Sequence, residues 1–254
     1  HSPHSISTAL AMTYAGAAGS TAREMRAALH FAQEPEVLHQ AFNALDQLLA
    51  SRGEGQPDTD GEPFRLSVVD GLFAQRGFPL RDRYLDDLAR WYGAEVALLD
   101  FAADPESARG AINAWAAEAT EGRVEELLSA RAVGPSTRFV AVDALTFRAA
   151  WKHRFSERAT MDRPFTRLDG STVSVPTMWG ESAVGFAEGA GWRATRIPYV
   201  GDAVSLLAVV PDDLAAFEEE LDAERIEHIA GQVERGFVYV ALPRFAIRSR
   251  LELE

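Results

Sequence analysis

The chain has 254 residues, of which 47% are hydrophobic and 25% are charged, as is usual for a globular protein with a sizeable core. Its net charge of −13, from 25 basic and 38 acidic residues, argues against nucleic acid as a partner. The sequence has no cysteine, which excludes zinc sites built from thiolates, and no apolar run approaches the ~18 residues of a membrane span. We therefore expect neither a nucleic-acid nor a membrane partner.

Three helices are predicted at the start of the chain. Ser2 can cap the first of them, and Pro3 suits the first helical position because the N–H that it lacks would be unpaired there. The other two predicted helices are Ala22–Leu29, capped by Ser20 or Thr21, and Pro35 to about Ala50. A polar loop rich in glycine and proline, Ser51–Pro63, follows them and is interpreted as a surface connection.

Strands and helices alternate irregularly in the next part. The predicted elements are a strand over Phe64–Gln75, a helix over Leu80–Tyr92, a strand over Ala94–Phe101, a helix over Pro105–Ala119 and a turn of helix over Glu125–Leu128. Asp104 is the predicted cap of the longer helix, with Pro105 at its first position.

The segment Arg138–Phe147 is too apolar for an exposed strand. Its hydrophobic residues leave no gap long enough for a solvated face, so it is predicted to be a central strand covered on both faces. Two further strands are predicted on either side of a turn at Leu168–Ser171.

Strands dominate the remainder. The predicted elements are strands over Ala183–Ala187, Trp192–Tyr199 and Val204–Val210, helices over Leu214–Leu221 and Ala223–Gln232, and strands over Phe237–Leu242 and Arg244–Leu253. Helices first and strands later indicate an α+β fold without regular βαβ alternation.

No catalytic or metal-binding motif is present. The six histidines show neither HExxH spacing nor an evident carboxylate partner, and they are His1, His4, His30, His39, His153 and His228. Ser2 and Ser5 are hydroxyls at a helix start, where such residues are usually caps and not nucleophiles. The residues therefore predict no enzyme, no metal site and no cofactor.

Several short motifs nevertheless occur in a characteristic order. They are Ser2–Ile6; Gly16, Ala17, Gly19 and Thr21; Ile112–Trp115 with Thr120, Gly122 and Val124; Asp143–Phe147 with Trp151, Phe155, Thr160, Phe165, Val175, Pro176 and Met178; Val209–Pro211; and Leu242–Phe245. Their order and spacing together resemble the serpins, a family of mostly serine-protease inhibitors, of a bacterial type. The resemblance covers essentially the whole chain.

The resemblance implies a fold of several helices packed on three mostly antiparallel or mixed β-sheets. It predicts one domain, 1–254, that is incomplete at both ends. Serpins are not enzymes but suicide substrates of proteases, since the cleaved reactive loop inserts into the central sheet. The implied partner is a target serine or cysteine protease, and the implied state is a monomer.

The resemblance also assigns roles to individual residues. Ser2, Pro3, Ser5 and Asp143 match the shutter, the cluster beneath the sheet strands that part during insertion. Trp151 matches the breach, where insertion begins, and the helix Pro105–Ala119 would lie across the sheet and yield. Asp143 and Asp70 stand where the family usually has Asn. An ionised Asp only accepts hydrogen bonds, whereas Asn also donates.

The resemblance leaves other properties open. It implies that the family's first helix, reactive loop and last strands lie outside these residues, so that a C-terminal segment completes the fold. The scissile bond, the target protease and the localisation are therefore not predicted. The alternatives to inhibition are a non-inhibitory relative that binds a ligand or serves as a chaperone or storage protein, and an inactive fragment.

Overall fold

The computed structural model describes residues 2–53 and 64–247, which form two compact units. Among these residues, the first unit contains 2–53 and 65–147, and the second contains Phe64 and 148–247. No helix of this described part is long and apolar enough to cross a bilayer.

Five helices and three strands make up the first unit. The helices are α1 (Pro3–Ala15), α2 (Gly19–Ala28), α3 (Pro35–Gly53), α4 (Asp82–Tyr92) and α5 (Pro105–Ala119), and the strands are β1 (Arg65–Gln75), β2 (Val96–Leu99) and β3 (Phe139–Arg148). The predicted caps are confirmed, because the side chains of Ser2 and Asp104 accept hydrogen bonds from backbone N–H groups in the first turns of α1 and α5.

The strand order of the first unit is β2-β1-β3, with β1 and β2 parallel. The N–H of Gln75 donates to the carbonyl of Arg138 at 2.9 Å, so the end of β1 meets the start of β3 and these two strands are antiparallel. In the described part of the chain β1 lies between β2 and β3. The predicted strand at Arg138–Phe147 is confirmed as β3, and its central position in the whole sheet stays a prediction.

Successive residues of a strand point to opposite faces of the sheet, and here both faces are covered. Leu72 packs on one face, in a core that includes Met12 of α1 and Leu88 of α4. Phe73 packs on the other face, in a core that includes Ile112 of α5. The first half of β3 follows the same alternation, with Phe139 and Ala141 against the α1–α4 core and Val140 and Val142 in the α5 core.

The second unit is a five-stranded antiparallel sheet with two helices. Its elements are β4 (Met161–Thr166), β5 (Thr172–Gly189), β6 (Trp192–Pro198), β7 (Ser205–Pro211), α6 (Leu214–Glu219), α7 (Ala223–Gln232) and β8 (Glu234–Pro243). The order is β4-β5-β6-β7, and β8 pairs with β5. Strand β4 pairs with the beginning of β5 and β6 with its end, so two of the three expected sheets are joined through β5.

Several predicted elements of the first unit differ from the structure, since α4 begins at Asp82 instead of Leu80 and β2 covers Val96–Leu99 instead of Ala94–Phe101. Helix α2 begins at Gly19, three residues before the predicted start, because Ala18 takes the extended conformation of a cap. The predicted helical turn at Glu125–Leu128 is irregular, since the Asn113 amide both donates to the carbonyl and accepts from the N–H of Leu128, at 3.0 and 2.8 Å.

Two predicted strands of the second unit also differ. The residues Ala183–Ala187 are not a separate strand but part of β5, whose partner β8 pairs without interruption from Thr177 to Phe186. Residues 244–247 are not a strand, and the rest of the predicted strand Arg244–Leu253 lies outside the described residues.

Helix α5 contacts the sheet closely at Gly71. A Cβ at this position would lie 2.7 Å from the ring of Trp115, so we expect Gly71→Ala to cost about 1–3 kcal/mol of unfolding free energy by overpacking. Gly110→Ala is the matched control, because nothing lies within 4 Å of its Cβ position within α5. The Gly110→Ala variant should have an unfolding free energy up to about 1 kcal/mol higher, because alanine has a higher helix propensity than glycine. Urea unfolding measures both, and a Gly71→Ala variant as stable as the wild type would contradict this packing.

Candidate functional site

Helix α1 places three of the predicted shutter residues at its start. The Ser2 hydroxyl accepts a hydrogen bond from the Ser5 N–H at 3.2 Å, and Pro3 occupies the first turn. The Ser2 side chain is therefore engaged in capping, as the sequence predicted, while the Ser5 hydroxyl is close enough to Asp143 to lower the pKa of its carboxyl.

Asp70 of β1 and Asp143 of β3 are directly opposite each other. Asp70 lies five residues before Gln75 and Asp143 five residues after Arg138, and Gln75 and Arg138 are the residues joined by the backbone hydrogen bond between these antiparallel strands. Asp70 lies two residues from Leu72, which faces α1, so its side chain points to the same face. The alternation of β3 places Asp143 on that face as well.

The two carboxyl groups are buried. Both oxygens of Asp143 and Oδ1 of Asp70 are inaccessible to solvent and make no hydrogen bond of good geometry. The Ser5 hydroxyl and the two carboxyl groups are nevertheless close enough for Asp143 to interact with Ser5 and with Asp70. Burial is the largest cause that raises the pKa of Asp70, and together with the neighbouring charges of Asp143 and Asp46 it brings this pKa to about 8. Burial also raises the pKa of Asp143, and Ser5, His4 and Asp70 oppose that shift.

His4 and Asp46 are hydrogen-bonded to each other beside these carboxyl groups. His4 Nε2 lies 2.9 Å from Asp46 Oδ1, and the two side chains are 17% and 21% exposed. Burial raises the pKa of Asp46, and His4 partly offsets this. We call Ser5, Asp70, Asp143, His4 and Asp46 the carboxyl cluster.

The sequence did not reveal every member of the carboxyl cluster. Asp70 was noted as a departure from the family pattern but not as a site residue. The partnership of His4 with Asp46 was missed because the two residues are 42 positions apart, on different helices, and no local spacing signals such a pair. Among the described residues, no group of three or more His, Asp or Glu side chains is arranged to hold a metal ion.

Trp151, the predicted breach residue, belongs to the second unit. Its indole stacks on the Tyr199 ring at 4.5 Å and 12°, and the Phe155 ring meets it edge-on at 6.0 Å. A backbone bridge between Trp151 and Tyr199 and the hydrogen bond from the Lys152 N–H to the Pro198 carbonyl hold the two segments together. Trp151 thus joins a loop to the end of β6 and packs against the small core around Ile197.

The comparisons with known proteins agree with one another. The family model described as Serpin (serine protease inhibitor) matches residues 1–254. An uncharacterized serpin-like protein of Thermococcus kodakarensis is 35% identical over 99% of this chain and 57% of its own length. The leukocyte elastase inhibitors of Bos taurus and Homo sapiens are 32% and 31% identical over 100% and 99% of this chain, and 67% of their own length in each case.

Solved structures show the same similarity. Cleaved Serpin 42Da superposes with a TM-score of 0.83 at 29% identity, over 96% of this chain and 64% of its own length. Emu ovalbumin (Dromaius novaehollandiae) has the same TM-score at 24% identity, over 96% of this chain and 66% of its own, which supports the fold only. The chain therefore spans from about half to two thirds of the length of the relatives that it matches.

The α+β fold and the order of motifs are thus confirmed by a match that extends from the first residue to the last. The chain belongs to the serpin family.

Proposed function

We propose that this chain is the greater part of an inhibitor of serine proteases that acts as a suicide substrate. The observation that carries the proposal is the serpin match over the entire chain, together with relatives named leukocyte elastase inhibitor that share about a third of its residues. In this proposal the target protease performs the catalytic chemistry, and the inhibitor supplies the reactive loop that is cleaved and the conformational change that follows.

In this mechanism the protease's nucleophile attacks a peptide bond of a reactive loop that lies outside these residues. An ester forms between the protease and the new carboxyl end of the loop, while the new amino end departs. The loop then inserts into the sheet beside β3, carries the protease with it and distorts the protease's active site before water can hydrolyse the ester.

Features of the first unit support such an insertion. Insertion requires the sheet to part beside β3, and the entering strand would gain a ladder of backbone hydrogen bonds and bury apolar surface. We assign Ser2, Pro3, Ser5 and Asp143 to the shutter because the carboxyl of Asp143 lies beneath β3, on the face covered by α1. Helix α5 packs on the opposite face and has to move for a strand to enter.

The proposal also covers the domain organisation of the chain and the role of Trp151. The single domain predicted from the sequence stays a prediction, in which both compact units belong to one inhibitor completed by further strands. Trp151 is assigned to the breach from the family resemblance, and its stack on Tyr199 fixes the loop that carries it to the end of β6.

We expect the full-length protein to form an SDS-stable complex with at least one serine protease in a panel that also contains cysteine proteases. The covalent ester makes the complex stable in SDS. The matched control is the same protease with its nucleophilic serine replaced by alanine, which should form no SDS-stable complex. Gel electrophoresis after mixing measures both reactions. Turnover of the loop without any trapped complex would contradict inhibition and favour a non-inhibitory relative.

We further expect Trp151→Leu to raise the number of inhibitor molecules consumed per protease molecule trapped. Loss of the stack on Tyr199 should also cost about 1 kcal/mol of unfolding free energy. Trp179→Leu is the control, since Trp179 also stacks on a tyrosine, Tyr239, at 5.9 Å and 17°. The Trp179→Leu substitution should lower the unfolding free energy to a similar degree without changing the stoichiometry of inhibition, the number of inhibitor molecules consumed per protease molecule trapped.

The stoichiometry is measured by titrating a fixed amount of protease with each variant and following residual activity. An equal effect of the two substitutions, or no effect of Trp151→Leu, would contradict the breach assignment.

A further inference from the structure

The carboxyl cluster contains a pair of acids in an arrangement that requires a proton. Asp70 and Asp143 face each other across neighbouring antiparallel strands, close enough for their side chains to interact. Three of their four carboxylate oxygens are buried without a hydrogen bond of good geometry. Two ionised groups in this position would repel each other and leave buried acceptors unsatisfied. A single proton between them removes the repulsion and provides the missing donor.

The surroundings of the pair favour this arrangement. Asp46 of α3 adds a third carboxyl, which lies 2.9 Å from Nε2 of His4 in α1 and whose charge acts on Asp70. Tyr92 of α4 is a buried phenol whose pKa is raised by burial and by the charge of Asp70, and its hydroxyl is engaged with His39 Nδ1 at 2.6 Å. The titratable groups facing the pair are therefore His4, Asp46 and Tyr92, of which His4 is the one that can carry positive charge.

We propose that Asp70 and Asp143 share one proton and form a pH-sensitive latch that holds β3 to β1. With the proton in place, a carboxyl of one strand donates to a carboxylate of the other. Loss of the proton leaves two buried negative charges face to face and weakens the pairing of β3 with β1. The latch is a property of this chain's own fold, and it stands whether or not the protein inhibits a protease.

The direction of the pH dependence follows from the folded-state pKa. Asp70 has a pKa of about 8 in the folded chain, against 3.8 for an unperturbed Asp. The folded state therefore retains a proton that the unfolded state releases. The stabilisation is complete below about pH 4 and is lost as the pH rises to about 8, which is opposite to the behaviour of an Asp in a salt bridge.

We expect the unfolding equilibrium constant of the full-length protein to rise up to about tenfold per pH unit within this window, as one retained proton requires. Asp70→Asn should flatten this dependence, because the amide donates to Asp143 at any pH. Asp143→Asn should act similarly, with the donor on the other strand. Asp86→Asn is the matched control, since Asp86 is exposed on α4, and it should keep the wild-type slope.

A second measurement does not depend on reversible unfolding. Infrared spectra should show the C=O band of a protonated carboxylic acid near neutral pH in the wild type and the Asp86→Asn variant. Both Asn variants at the latch should lack it, and it should disappear from the wild type above about pH 9. The absence of this band in the wild type, or an unchanged pH slope in Asp70→Asn, would overturn the proposal.

Discussion

The burial of two opposed carboxyl groups between α1 and the sheet is the constraint on which the first unit depends. Asp70 and Asp143 lie on the face where α1 and α4 build the core around Leu72, so water does not hydrate them. In such surroundings an unpaired charge is costly and the group keeps its proton instead. The packing of α1 on the sheet and the protonation of this pair are consequently linked, since separating the helix from the strands would readmit water.

The same geometry connects stability with the proposed mechanism. A strand that has to change partners cannot be fixed by an extensive apolar interface on every side. Here β3 pairs with β1 through a ladder that includes a polar pair. A polar contact of this kind depends on geometry and protonation, whereas apolar burial does not, so it suits a junction that opens.

The elements of the fold were predictable where neighbouring residues determine them, and less predictable where residues far apart in the sequence do. The caps at Ser2 and Asp104 and the full extent of α5 and α7 follow from residues within a few positions of one another. The continuity of β5 and the irregular backbone near Leu128 depend on partners farther along the chain. Only part of the carboxyl cluster was predictable from the sequence. Asp143 and Asp70 depart from the family pattern, whereas Asp46 and His4 are recognised only from the packing of α1 on α3.

The central functional claim is that the sheet accepts an additional strand and becomes more stable by doing so. It is tested most directly by cutting the reactive loop of the full-length protein with a protease that it does not trap, and comparing thermal unfolding before and after cleavage. We predict a large upward shift of the unfolding midpoint, because the inserted loop completes the ladder beside β3. An unchanged or lower midpoint would contradict the account.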